Sequence, residues 1–358
     1  MLKWIIVSLV VLTAGLFFYF RTSPSENLAA FHDFEKLMGK EKESWAYVQT
    51  REDKENLAFF KRLYEKNFDK LSQLEGSKIP TTLHCIWLGP KEFPKESYKN
   101  VSSWIEKHPK WAVKFWTDID RAAPHPKMEK VLVQESHLPT LLSCYFSSDN
   151  FGEKAELLSY EILSSEGGVV LHHDLLLHKN LNPFAGLDFY CGLEELGPSI
   201  LSSSVFPSTH LIGARANHPI MRAAIDWVKK QWEKLESDYP GSESSAILNR
   251  VKHRAFSAFR EGIMQKIDRE QNCDLVFPSA YFSEKKKTPF SFASHLHAAS
   301  WLLLESETEK KIAKECEVIA SKISQTQALL FVSLLFSGGL LSWVMWRLFK
   351  GAKRETAH

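Results

Sequence analysis

Three short apolar runs, each ending in polar or turn-forming residues, constrain this chain most. They are "TTLHCIWLG" from Thr81 to Gly89, "WAVKFWTD" from Trp111 to Asp118, and "GGVVL" from Gly167 to Leu171. Runs of this length bounded by turn formers read as buried strands. Just before the third lies "EKAELLSYEILSSE", Glu153 to Glu166, whose apolar residues recur at helical spacing. Strands alternating with helices predict an α/β domain on a largely parallel sheet, where ligands collect at the carboxyl ends of the strands. The texture sets in around Pro80, and the domain is expected over residues 77–305.

With 358 residues, 44% hydrophobic and 25% charged, the chain has the material for a large core. Its net charge of +2 is small, and its Lys and Arg residues are interleaved with Glu and Asp rather than gathered into a basic stripe. That excludes nucleic acid as an expected partner. The cysteines Cys85, Cys144, Cys191, Cys273 and Cys316 are widely spaced and form no CxxC pair, so they predict neither a zinc ribbon nor a disulfide framework.

The ends differ from this average. Residues 4–20, Trp4 to Phe20, are uncharged and nearly all apolar, enough for roughly 26 Å of helix and so for a transmembrane span. A cleaved signal peptide is the rival reading; the bulky aromatics of "FFYFRTSPSEN", where small residues should precede a cut, favour an uncleaved anchor. Residues 328–346 form a second uncharged run, with Trp343 and Trp346 at its edge and Arg347, Lys350, Lys353 and Arg354 beyond. Aromatic and basic residues there suit a headgroup boundary, the alternative being a buried C-terminal helix. Two spans predict a multi-pass membrane protein with both termini on one side. Lys3 and the basic tail are opposed by Arg21, Lys310, Lys311, Lys314 and Lys322, so charge does not choose the side. Residues 21–76 read as a helical stalk, with Leu57, Phe60, Tyr64, Phe68 and Leu71 on one face, Asp53 near the helix start and Gly76 beyond its end. Residues 306–327 read as a helical linker with Ile312, Cys316, Ile319 and Ile323 on one face.

The chemistry-bearing stretch is "SSEGGVVLHHDLLLHKNL". In an extended chain His172 and Asp174 share a face and His173 points away. They stand where Val169, Val170 and Leu171 end, the place where such a sheet opens its crevice. An imidazole beside a carboxylate suits an ion such as Mn²⁺ that accepts nitrogen and oxygen donors. The plain alternative is the solvated polar end of a buried strand.

Taken together, "IPTTLHCIWLGP", "SSWIEKHPKWAVKFWTD", "EKAELLSYEILSSEGGVVLHHD", "IGARANHPIM" and "HLHAASW" resemble, over residues 78 to 303, the sugar transferases with a DXD motif. That family includes fungal mannosyltransferases and is related to the glucosylating domains of large clostridial toxins. The resemblance implies an α/β, GT-A-like, Rossmann-type nucleotide-sugar transferase domain, carried here between the N-terminal helical stalk and two terminal transmembrane helices. Family members read "GGIYLDTD" where this chain reads "GGVVLHHD", so His172 replaces the first aspartate and Asp174 keeps the last. The resemblance makes Asp174 the direct ligand of Mn²⁺ or Mg²⁺ and implies catalytic roles for Asp174, His172 and Glu156, with His172, His295 and His297 as further metal ligands. Trp87 matches the aromatic that stacks on the donor's base; its alternative is a core position. Glu156 is implied to face the donor's hydroxyls, its alternative being an exposed helix carboxylate. Ser159 stands where the family has Arg. Ser300 and Trp301, with His295, match a closing segment that covers the donor, the alternative being a buried polar turn. His218 and Pro219 read as a loop and helix start.

The function implied is a membrane-anchored glycosyltransferase moving a hexose from a nucleotide diphosphate sugar to a hydroxyl acceptor, metal-assisted and retaining. The two spans favour a lipid or a membrane-associated protein or glycan as acceptor. Loss of the first aspartate and of the helix arginine leaves open a degenerate domain that binds nucleotide sugar or glycan without turnover. A structural membrane protein is the other alternative.

Overall fold

The computed structural model describes residues 33–197, 203–242, 244–269 and 271–298. All fall within the first of two compact units, Met1–Leu302. The expected spans at 4–20 and 328–346, the linker at 306–327, and Ser300 and Trp301 lie outside the described residues. Among the described residues no helix is long and apolar enough to cross a membrane.

Helix α1, Arg51–Asn67, opens on a capping box in which the Thr50 hydroxyl and the Asp53 carboxylate satisfy each other's backbone N–H. Asp53 also accepts hydrogen bonds from the Ser203 hydroxyl and the Ser204 N–H. Leu57, Phe60 and Tyr64 are buried as their spacing predicts, joined by Leu63, whereas Phe68 and Leu71 fall beyond the helix and are only partly buried; α1 packs on the far edge of the sheet. A 3₁₀ turn, Phe68–Gln73, follows, and Gly76 lies just past it at φ +76°.

The sheet is built from β1 (Thr82–Ile86), β2 (Ala112–Thr117), β3 (Glu129–Leu132), β4 (Gly168–Leu171), β6 (Phe189–Leu193), β7 (Pro207–Ala214) and β8 (Asp274–Phe277), while β5 (Leu175–Leu177) pairs apart from it with β9 (Ala293–His295). Its order is β3-β2-β1-β4-β7-β6-β8. The three apolar runs are β1, β2 and β4, and the helical run is α3 (Phe151–Ser165), which follows α2 (Tyr98–Lys107). The α/β expectation therefore holds, but the sheet is mixed. β1 pairs in parallel with β2 and β4, β2 with β3, and β6 with β8, whereas β7 runs antiparallel between β4 and β6. All eight β7 residues are buried. A strand covered on both faces has no alternation from which its direction could be read. Helices α4 (Pro219–Asp238) and α5 (Ser257–Lys266) pack on each other. His218 caps α4 and Pro219 is its first residue, as the sequence predicts.

His84 shows how tightly β1 and β4 approach. Its Nδ1 accepts the Trp116 indole N–H at 3.1 Å, so the proton sits on Nε2, which donates to the Gly167 carbonyl at 2.9 Å. A Cβ on Gly168 would meet this ring nitrogen at 2.6 Å, and the residue's φ is +102°. Burial pushes the His84 imidazole down to about 4, since both nitrogens are already satisfied in the neutral form. A histidine held neutral in the fold contributes stability above its unfolded pKa and loses it as pH falls. Urea midpoints measured in a pH series should therefore drop between about 6.5 and 4, and His84→Gln should flatten that part of the curve.

Candidate active site

Because β7 is reversed, its first residues lie beside the carboxyl ends of β4 and β6. The His172 N–H donates to the His210 carbonyl at 2.9 Å, and the Glu194 N–H to the Phe206 carbonyl at 3.0 Å. Residues leaving β4, leaving β6 and entering β7 thus share one edge. The chain does not stay extended after β4: Leu175 N–H donates to the His172 carbonyl at 3.1 Å, closing a turn over His173 and Asp174. This turn, rather than strand alternation, distributes the three side chains.

His172, half-buried, donates from Nε2 to Glu156 Oε1 at 3.1 Å. Burial disfavours its charged form, but the Glu156 hydrogen bond and charge, helped by Asp174 and Glu194, win and raise its pKa. Glu156 is 6% exposed, not an exposed helix carboxylate. Its Oε1 also accepts from the Thr209 hydroxyl at 3.0 Å, while its buried Oε2 has no protein partner. The Ser159 hydroxyl donates back to the Glu156 carbonyl at 2.7 Å.

His173 turns the other way, its Nδ1 2.7 Å from the Ser97 hydroxyl and its ring edge-on to Trp87 at 5.0 Å. Burial lowers it to about 4. Trp87 itself is half-buried. Its indole N–H donates to the Lys91 carbonyl at 2.9 Å and its ring meets Phe93 edge-on at 5.5 Å. Trp87 is therefore neither a core residue nor a fully exposed one.

Asp174 is 6% exposed. Its Oδ2 accepts from His295 Nε2 at 3.1 Å and from the Ala298 N–H at 2.8 Å. Burial opposes its charge, but His295, His172 and His173 outweigh that and hold the carboxyl far below its usual range. The β5–β9 pair places His295 opposite Leu175, one residue beyond Asp174. His295 stacks on His210 with centroids 4.2 Å apart, and His297, at φ +53°, sits 4.2 Å from it on the open side. Burial, then the His210 charge, lower His295 below an ordinary imidazole; burial and His295 do the same for His297.

Two residues that the sequence reading did not single out complete the group. His210 Nδ1 lies 3.5 Å from Glu194 Oε1 and contacts the Ser208 hydroxyl, and its Nε2 is 3.2 Å from the Ser283 hydroxyl. Glu194, His210 and His295 each offer a donor atom within 4.8 Å of the others. Against the burial that pushes it up, Glu194 is held down to about 2 by His210 and His295. These three residues are a candidate divalent-metal cluster, with two imidazoles and an ionised carboxylate as donors and the buried Nδ1 of His295 left without a protein partner. Of the residues named from the sequence, His295 belongs to the cluster, Asp174 touches it through His295, and His297 borders it. His172 and Glu156 form a neighbouring pair, and Trp87 stands beyond His173. The signal for the missed pair was a polar residue set against a buried run, Glu194 just after "FYCGL" and His210 inside "PSTHLIGA".

No family model matches the chain. An uncharacterized glycosyltransferase of Acanthamoeba polyphaga mimivirus is 29% identical over 236 residues, covering 62% of this chain and 84% of that protein. Among solved structures, the PaToxG glycosyltransferase overlaps 63% of this chain and 80% of its own at 14% identity and a TM-score of 0.42. The UDP-bound glycosyltransferase domain of the YGT toxin overlaps 57% and 80% at 9% identity and a TM-score of 0.41. At these values the structural overlap is a partial likeness of chain path and carries no activity with it.

Proposed function

We propose that this chain is a glycosyltransferase of GT-A type that moves a sugar from a nucleotide diphosphate donor to a hydroxyl acceptor, with net retention. The observation that carries the reading is the convergence of Asp174, Glu194, His210 and His295 at the carboxyl edge of an α/β sheet, where such folds bind ligands. The similarity to the mimivirus glycosyltransferase supports it. In this reading the partly accessible face of Trp87 receives the base, and Lys91 and His173 hold that ring in place. His172, tied to Glu156, contacts the ribose or diphosphate in the position of the family's first aspartate. A bound Mn²⁺ or other divalent ion would stabilise the negative charge that develops on the leaving diphosphate. Glu194, His210 and His295 are the residues that would hold it, with Asp174 behind them.

A panel of nucleotide sugars, each with and without Mn²⁺, tests this by thermal shift and by donor hydrolysis. At least one sugar nucleotide should raise the melting temperature and be turned over in an ion-dependent way. Absence of any shift or hydrolysis across the panel would defeat the reading.

The membrane attachment belongs to the same proposal: residues 4–20 and 328–346 span the bilayer, both termini share a side, and the acceptor is a lipid or a membrane-associated protein or glycan. Single cysteines placed in residues 22–27 and in the tail after Lys350 should then label from opposite sides of sealed vesicles. Equal labelling would remove the two-span arrangement.

A further inference from the structure

His295 separates the roles of the two carboxylates near it. Its Nε2 is 3.1 Å from Asp174 Oδ2, and that oxygen also accepts the Ala298 N–H at 2.8 Å. The other ring nitrogen, Nδ1, is buried and has no partner, although buried ring nitrogens ordinarily have one. With the proton on Nε2 toward Asp174, Nδ1 carries a free lone pair. An imidazole held from behind by a carboxylate while its second nitrogen is left open is the usual arrangement of a metal-binding histidine. Glu194 and His210 each bring a donor atom within 4.8 Å of a ring nitrogen of His295. Both His210 nitrogens meet serine hydroxyls, Ser208 and Ser283, which can rotate away from one of them without moving the backbone.

We propose that the ion site is a two-histidine, one-carboxylate set made of Glu194, His210 and His295, with Asp174 as a positioning residue behind His295, and that it takes a borderline transition-metal ion such as Zn²⁺ or Co²⁺ in preference to Mg²⁺. This departs from the expectation that Asp174 is itself the ligand. Imidazole nitrogen favours the borderline ions, whereas Mg²⁺ keeps oxygen donors and water. The inference rests on the transferase reading only for what the ion is used for, not for where it binds.

Metal-stripped full-length chain in detergent is titrated with Co²⁺, whose visible absorption reports nitrogen ligation. The wild-type chain should take up Co²⁺ with visible bands, Zn²⁺ should displace it, and a large excess of Mg²⁺ should not. His295→Ala should lose the bands. Asp174→Asn, whose amide oxygen still accepts the His295 N–H, should keep them, and Asp174→Ala should bind Co²⁺ about 10- to 100-fold more weakly, the scale for loss of an orienting partner. Melting curves identify variants that fold as the wild type does. No Co²⁺ uptake by the wild-type chain, or displacement by Mg²⁺ at comparable concentration, would overturn the proposal without reference to any variant. So would complete loss of binding in a folded Asp174→Asn chain, which would put the ion on Asp174. A chain that binds Co²⁺ as described but no sugar nucleotide would keep this inference and lose the transferase reading.

Discussion

Glu194→Gln is expected to reduce ion-dependent donor hydrolysis by about 100-fold or more, because losing even a partner one shell removed from a metal costs about 10- to 100-fold. The substitution keeps the shape of the side chain and the Glu194 N–H bond to the Phe206 carbonyl, so the fold should survive. What it removes is a negative charge. Although burial pushes the Glu194 carboxyl up, the nearby His210 and His295 hold it down to about 2, so it is ionised at any working pH. Of the three residues within 4.8 Å of one another it is the one that brings full charge to a divalent ion. Initial rates at fixed donor, compared with melting temperatures, check this. A wild-type rate in the variant would take Glu194 out of the ion's surroundings.

Trp87→Ala is expected to weaken donor binding by about 1 to 3 kcal/mol, the range for loss of one base stacked on an aromatic ring. The ring is half-buried and anchored at three points, by its N–H to Lys91 and by edge contacts with Phe93 and His173, so a base stacked there would meet a surface that is already oriented. Trp87→Phe should recover most of the affinity, since the flat face remains. Titration calorimetry with the nucleotide diphosphate gives the comparison directly. Equal affinity in a folded Trp87→Ala chain would leave the residue as packing for the loop after β1.

The parts legible in the sequence were those in which one segment carries its own signal. β1, β2 and β4 announce themselves as apolar runs, α1 by the spacing of Leu57, Phe60 and Tyr64, and the start of α4 by His218 and Pro219. The direction of β7 was not legible, because it depends on which neighbours a fully buried strand pairs with. The site suffered from the same limit. His172 and Asp174 adjoin an apolar run and could be picked out as a pair, but Glu194 and His210 come from two further strands. Only pairing brings them beside His295, which is more than a hundred residues from Asp174 in sequence and 3.1 Å away in space. His172 and His173 were expected to diverge and do, although a turn and not an extended chain separates them.

The reversal of β7 also bears on the timing of site assembly. The His172 N–H to His210 carbonyl bond extends the β4–β7 ladder past its Leu171–Leu211 pair, and the Glu194 N–H to Phe206 carbonyl bond extends the β6–β7 ladder past its Leu193–Pro207 pair. A one-residue slip of β7 would send His210 to the opposite face. The cluster consequently exists only when the middle of the sheet is in register. An ion bound there would meet donors that the sheet already holds together, unlike small metal domains whose folding and loading are a single event. The amide hydrogens of His172 and Glu194 should exchange with solvent as slowly as those of the buried strands around them, with or without metal.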